Sequence, residues 1–144
     1  VHTELTSAAG SRAVQASTRP TDLLAIAEWT APTGAVVLAV HGEVDTSSCS
    51  VLHDRIDEQL RSAHHLVLDL GEVDLLCAAG LTVLVVVRER AQLRGTVLCV
   101  VARTRPVRLP LIITGLTGVL DLHLDVDEAL ACGRSRLTSE DAVC

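Results

Sequence analysis

The sequence contains no lysine, methionine, phenylalanine or tyrosine, and Trp29 is its only aromatic side chain. A core built from it must be aliphatic, drawn from Val, Leu, Ile and Ala, which with the few other hydrophobic types reach 49% of its 144 residues. That length suits one domain with its own core. All twelve basic residues are arginine, scattered without a basic stripe, against a net charge of −6. Direct binding to nucleic acid is therefore not expected. No apolar run is long enough for a membrane span, because Arg88 and Arg108 interrupt the longest ones, and the first residues lack the apolar stretch of a signal peptide. These absences predict a soluble cytoplasmic protein with no membrane partner. The five cysteines (49, 77, 99, 132 and 144) form no CxxC pair. An odd count without a secretory signal predicts free thiols in a reducing compartment. There is no GxxxxGK[ST] phosphate loop, no GxGxxG and no GxSxG, so neither an enzyme nor a cofactor or metal requirement is expected.

What remains is a regular alternation of apolar runs and amphipathic segments. Residues 1–21 are rich in Ser, Thr and Ala without periodicity and read as a flexible tail. Asp22–Thr30 and Ala35–His41 read as strands joined by the turn Ala31-Pro32-Thr33-Gly34, hence an antiparallel hairpin. Thr46, Ser47 and Ser48 offer caps to a helix running to about Ala63, with Cys49, Leu52, Ile56, Leu60 and Ala63 as its buried stripe. A third strand covers His65–Leu70, followed by a tight polar corner. Gly80–Leu93 could be a strand by its β-branched run. The composition of Arg88–Arg94 and a Gly95 C-cap favour a helix. Thr96–Val101 is a fourth strand. A helix from Thr104, with Val107, Leu111, Ile112 and Leu116 on its apolar side, should kink or break at Pro110. Leu120, Leu122 and Leu124 alternate with Asp121, His123 and Asp125, as in a half-exposed edge strand. Asp125 and Glu128 then resemble a capping box for a last helix to about Cys132, and 133–144 read as a second flexible tail. The pattern predicts an α/β fold: a mixed, mostly parallel sheet of about five strands packed with about four helices, spanning 22–132.

Few residues offer chemistry. Asp69 ends a strand, where parallel sheets often place a site, but no companion base follows it. His64 and His65 are adjacent, so on a strand they point to opposite faces and read better as surface residues than as a metal pair. Cys77 precedes a helix N-terminus, where the dipole favours a thiolate while Glu72 and Asp74 oppose it. It reads as a small loop-corner thiol or as a redox-responsive one pairing with Cys49 or Cys99.

Several motifs, in order, resemble one family. Gly42-Glu43-Val44-Asp45 looks like a GELD-type strand end, and Val67-Leu68-Asp69-Leu70 like a VLDL strand. The segment from Val73 to Leu81 (VDLLCAAGL) resembles the loop pattern V-x-F-I-D-S-S/T-G-L. Thr114-Gly115-Leu116 and Asp127-Glu128-Ala129-Leu130 resemble the family's C-terminal features. Together they resemble the STAS domain of bacterial anti-sigma factor antagonists. The resemblance implies a partner switch: binding to an anti-sigma factor with a kinase-like ATP-binding fold frees a sigma factor for transcription. Phosphorylation of a Ser or Thr at the start of the second helix reverses it, by placing about −1.5 to −2 charges on the docking surface.

This sequence departs from that pattern at the switch. Cys77 stands where the family has Asp, Ala78 where it has the phosphorylated Ser, and Ala79 where it has the next Ser or Thr. Neither alanine can accept phosphate. Thr82, a turn into the helix, is a poor substitute. The resemblance then implies an antagonist not controlled by phosphorylation, docking through Asp45, Thr46, Ser47 and Ser48 and through Cys77, Ala78, Ala79, Gly80 and Leu81. Asp45 serves there as a charge or simply as a cap. Two alternatives stand beside it: a thiol-regulated interaction module using Cys77, and a small-molecule-binding α/β domain built around Asp69. A homodimer is compatible with each.

Overall fold

The computed structural model describes residues 13–16 and 24–133. Six strands lie in one sheet in sequence order. They are β1 (Ala13–Ala16), β2 (Leu24–Thr30), β3 (Val36–Val44), β4 (His65–Leu76), β5 (Val97–Val101) and β6 (Leu122–His123). The first three pair antiparallel, and β3 through β6 run parallel. Helices α1 (Cys49–Leu60), α2 (Ala78–Arg94) and α3 (Arg105–Ile113) form the crossovers, and α4 (126–133) follows β6. This is the expected mixed α/β sheet. Among the described residues no helix is long and apolar enough to cross a membrane.

Both sheet faces are covered, which is why β3, β4 and β5 read as nearly unbroken apolar runs. Leu38, Val40, Leu66 and Leu68 face α1, α2 and α3, meeting Leu52, Ile56, Leu84, Val87, Val107 and Leu111 in the larger core cluster. Their strand neighbours Val37, Val67, Val97, Cys99 and Val101 face the other way, under Ala129 of α4, with Trp29 at the margin. Truncating one of the larger buried leucines to Ala would cost about 2–5 kcal/mol, since a close-packed core closes only part of the cavity.

Several boundaries differ from the sequence reading. The segment read as a tail contains β1, an edge strand on β2; the rest of 1–21, and 134–144, lie outside the described residues. The third strand does not end at Leu70 in a corner. β4 continues to Leu76 beside a β3 that continues to Val44, and the register slips between Ala39 and His41 and again between Gly42 and Glu43. Each slip inserts one extra residue into β4, as a β-bulge does. Asp69 Oδ1 accepts the Gly71 N–H at 2.9 Å inside the first slip. The Arg103 guanidinium lies over Gly71, where any Cβ would collide with it, and reaches Asp69 at 3.7 Å and Glu72 at 3.8 Å.

α1 stops at Leu60, short of Ala63. α2 begins two residues earlier than expected and ends as expected, with Gly95 left-handed at φ +73°. α3 passes through Pro110 and ends at Ile113, three residues on, so Leu116 falls in a separate 3₁₀ turn rather than on the helix. The Asp125 cap is present: Asp125 Oδ1 accepts the Glu128 N–H at 2.8 Å, while Glu128 Oε1 accepts the Leu124 N–H at 2.9 Å. Two exposures differ from that reading. His123, on the side of β6 read as exposed, is buried beneath α4, and Leu124 is exposed. His65, read as a surface histidine, is buried as well.

Candidate functional site

The two segments named as a docking surface come together where β3 and β4 end. The link is short. Cys77 N donates to Val44 O at 3.0 Å, joining the end of β3 to the start of α2. Gly80 then brings the first turn of α2 down onto the sheet. A Cβ there would stand 2.7 Å from Val44 Cγ1 and 2.8 Å from Leu76 Cδ1, so this close approach requires glycine. Val44 is followed directly by the Asp45–Ser48 corner, which thus sits beside the Cys77–Leu81 turn.

The corner is organised by Asp45, not by the serines. Ser48 is the N-cap of α1, but its side chain caps nothing. Instead Asp45 Oδ1 accepts the backbone N–H groups of Ser47 and Ser48, each at 3.0 Å. It also accepts the Ser47 hydroxyl at 2.8 Å and lies 3.1 Å from Ser48 Oγ. Ser48 Oγ, buried, accepts the Asp45 N–H at 3.0 Å and donates to Glu43 O at 2.8 Å. The Ser47 hydroxyl is the largest influence holding the Asp45 carboxyl below its usual pKa; desolvation opposes it, and the Ser48 N–H and hydroxyl and the Ser47 N–H add to it. Thr46 and Ser47 are exposed and rigidly presented by this network.

The α2 start is bare by comparison. Cys77 takes the extended N-cap conformation (φ −85°, ψ 176°) yet makes no side-chain cap. Ala78 is exposed and Ala79 half-buried. The nearest hydroxyl, Thr82, donates back to Ala78 O at 3.2 Å. Cys49, Cys77 and Cys132 are free thiols. Cys49 Sγ lies 3.5 Å from Thr46 O in the corner. Cys99 packs in the α4-side cluster, whereas α2 packs in the other, so the sheet separates Cys99 from the Cys77 turn.

The sequence reading missed the third side of this surface. Leu76, Ala78 and Leu81 line one wall of an apolar groove of about 570 Å³ whose opposite wall is α3, with Pro106, Leu109 and Ile113. Beyond the groove, Leu75 and Ile112 are also exposed. Arg103, Arg105 and Arg108 border the α3 side. The signal was present in Arg105–Ile113, which is apolar on more than one face. A helix that packs one face on a sheet can hide only Val107 and Leu111. Asp69 is not among the residues lining the groove; it is engaged at the β4 bulge.

Residues 27–129 match the family model of the STAS domain. Among solved structures, an anti-sigma factor antagonist from Mycobacterium paratuberculosis superposes with a TM-score of 0.73 at 29% identity, covering 82% of this chain and 99% of that one. The Thermotoga maritima protein TM1081 gives 0.68 at 19% identity, covering 74% and 92%. SpoIIAA, an anti-sigma factor antagonist solved in its unphosphorylated form, gives 0.63 at 13% identity, covering 77% and 96%. No curated protein matches the chain. The family match spans well over half of the chain and includes both the Asp45 corner and the α2 start, so this protein belongs to the STAS domain family.

Proposed function

We propose that this chain is an anti-sigma factor antagonist that docks on an anti-sigma factor of the kinase-like ATP-binding class, and so regulates sigma-factor-dependent transcription in the cytoplasm. In this reading it is an interaction module of residues 22–132 rather than an enzyme. Docking uses Asp45, Thr46, Ser47 and Ser48 together with Cys77, Ala78, Ala79, Gly80 and Leu81, and extends over the groove to Leu109 and Ile113. One observation carries the reading. The α2 start has the backbone of a helix N-terminus beside a preorganised acidic corner, but Ala78 and Ala79 give it no hydroxyl to phosphorylate.

The physical consequence is a surface without its usual off state. A phosphate at this position would be tolerated by the helix N-terminus, so the fold would survive while the docking surface gained charge and bulk. SpoIIAA has been solved in both unphosphorylated and phosphorylated forms. Here Ala78 holds the surface permanently in the unphosphorylated state.

The test is direct binding between the full chain and kinase-like anti-sigma factors of the same genome, with and without ATP. Binding that persists in ATP, with no phosphate transferred to the chain, is the expected result. Phosphate incorporated at the α2 start, or no binding to any such partner, overturns it.

A further inference from the structure

Beneath α4, on the sheet face opposite the docking helices, four elements converge on a buried polar cluster. Cys99 of β5, Asp121 just before β6 and His123 of β6 place one donor atom each within 4.8 Å of one another. Cys99 Sγ is 3.7 Å from Asp121 Oδ2, and Asp121 Oδ1 is 3.1 Å from His123 Nε2. His65 Nε2, at the start of β4, lies 3.5 Å from the same sulfur. Cys99 is fully buried and His123 is 8% exposed. An aliphatic core has little reason to gather a thiol, a carboxylate and imidazoles in one place, because each carries a desolvation cost when buried.

Two further features point to a cation at the centre of the cluster. His123 Nε2 is buried without a hydrogen-bond partner, although it stands 3.1 Å from Asp121 Oδ1. The two stand close as an ion pair without hydrogen-bond geometry. The other ring nitrogen, His123 Nδ1, lies 3.4 Å from Glu128 Oε1. A carboxylate beside the second ring nitrogen resembles the outer arrangement of metal-binding histidines, and here the same Oε1 also accepts the Leu124 N–H. The spacing also fits. With bonds of about 2.3 Å to sulfur and about 2.0–2.1 Å to nitrogen or oxygen, tetrahedral zinc sets its ligand atoms about 3.3–3.6 Å apart. Asp121 stands 3.1 Å from His123 Nε2 through Oδ1 and 3.7 Å from Cys99 Sγ through Oδ2, and one donor atom from each of the three residues lies within 4.8 Å of the others.

We propose that Cys99, Asp121 and His123 form a binding site for a divalent zinc-type ion, with Glu128 orienting His123 and His65 placed to donate Nε2–H to the metal-bound sulfur. A thiolate, an imidazole and a carboxylate are the donor set that suits Zn²⁺ among common cations. On binding, the Cys99 thiol proton is released to solvent and a sulfur–metal bond forms; no electron is transferred. The Asp121 side chain, 29% exposed, gives the ion its way in. The site would tie the two-residue strand β6 and α4 to β5. Gly133 fits that closure, since a Cβ there would fall inside the His65 ring.

Co²⁺ is the probe, titrated into the full, reduced chain and followed by absorption. A thiolate-to-cobalt charge-transfer band and the intensified visible bands of tetrahedral cobalt are expected, both lost when Zn²⁺ is added. They should persist in a Cys49→Ser, Cys77→Ser, Cys132→Ser, Cys144→Ser background and vanish in Cys99→Ser. Glu128→Gln, at an exposed position, should weaken Zn²⁺ about 10–100-fold in competition with a chromogenic chelator. Zinc should raise the melting temperature of the parent chain and not that of His123→Gln. Absence of a thiolate band in the folded chain overturns the proposal, as does a band that survives Cys99→Ser. So does unchanged affinity in Glu128→Gln, which settles the matter even if the buried variants do not fold.

Discussion

The N-cap of α2 is the place where this sequence gives up stability most visibly, and Cys77→Ser measures how much. Cys77 already has the extended backbone of a capping residue, but its side chain makes no hydrogen bond to the first turn. An α-helix leaves its first N–H groups without intrahelical partners. A serine hydroxyl at the same position would accept one of them, a contribution of about 0.5–2 kcal/mol relative to a residue that cannot cap. Nothing else need move, because the backbone is already set and the side chain is only half-buried. Taking about 1 kcal/mol and a urea m-value of about 1–3 kcal/mol per molar, the midpoint should rise by about 0.3–1 M with m unchanged. The melting temperature should rise by about 3–5 °C for a chain of this size. Equilibrium urea unfolding of reduced protein, monitored by far-ultraviolet dichroism, is the assay. A midpoint that stays put or falls would mean that the first-turn donors are already satisfied, and the account of this turn would be wrong.

The close approach at Gly80 predicts that Gly80→Val destabilises. Overpacking of about 1–3 kcal/mol against Val44 and Leu76 outweighs the few tenths that Val gains over Gly in helix propensity, and denaturant midpoints would show it. The lowered pKa of Asp45, caused first by the Ser47 hydroxyl, gives stability that is present above the unfolded Asp value of about 3.9 and lost as pH falls through the lower folded value. Urea midpoints from neutral to acid pH should fall over that window, and Asp45→Asn should flatten the fall; parallel curves would contradict it. Ile113 is 74% exposed, so Ile113→Ser should leave stability within about 0.5 kcal/mol. It should still weaken docking tenfold or more, about 1.4 kcal/mol, in calorimetric titration against the anti-sigma partner.

How much of this was legible in the sequence depends on the range of the interaction. The order of strands and helices followed from local patterns: apolar runs at 36–40, 66–68 and 97–101, the i, i+3, i+4 stripe of α1, and Gly95 as a stop. What failed was set by distant partners. Asp69-Leu70-Gly71 looks like the end of a strand, and only the Arg103 side chain and the β3 register reveal a bulge instead. β1 is four residues without a distinctive pattern, and only pairing with β2 makes it a strand. The parity of β6 was read correctly, with Leu120 and Leu122 toward the larger core, and the covering of its second side was not. Leu122 and His123 do face opposite sides, but α4 covers the side with the polar residues. The candidate site stood out in the sequence as a departure from a motif at Cys77-Ala78-Ala79. Its α3 wall did not, because it depends on which face of Arg105–Ile113 the sheet takes.

The two polar features of the molecule lie on opposite faces, and that separation constrains what each can do. The Asp45 corner and the α2 start hang from the ends of β3 and β4, on the side of α1, α2 and α3. The Cys99–Asp121–His123 cluster lies beneath α4, in the other core. An ion bound there would touch none of the proposed docking residues. It can alter docking only by raising the population of the folded chain, an effect that follows mass action and scales with ion concentration over affinity. With Ala78 and Ala79 unable to accept phosphate, the proposed docking surface has no phospho-switch at the α2 start. A ligand with equal affinity for two states shifts neither. Control of the proposed complex that bypasses such a switch comes from how much folded chain is present, or from the state of the partner. In the first case affinity per folded molecule is constant while the amount bound tracks zinc; in the second, affinity itself changes with the nucleotide on the partner. Titrations at fixed folded fraction, with zinc and ATP varied separately, divide these two routes.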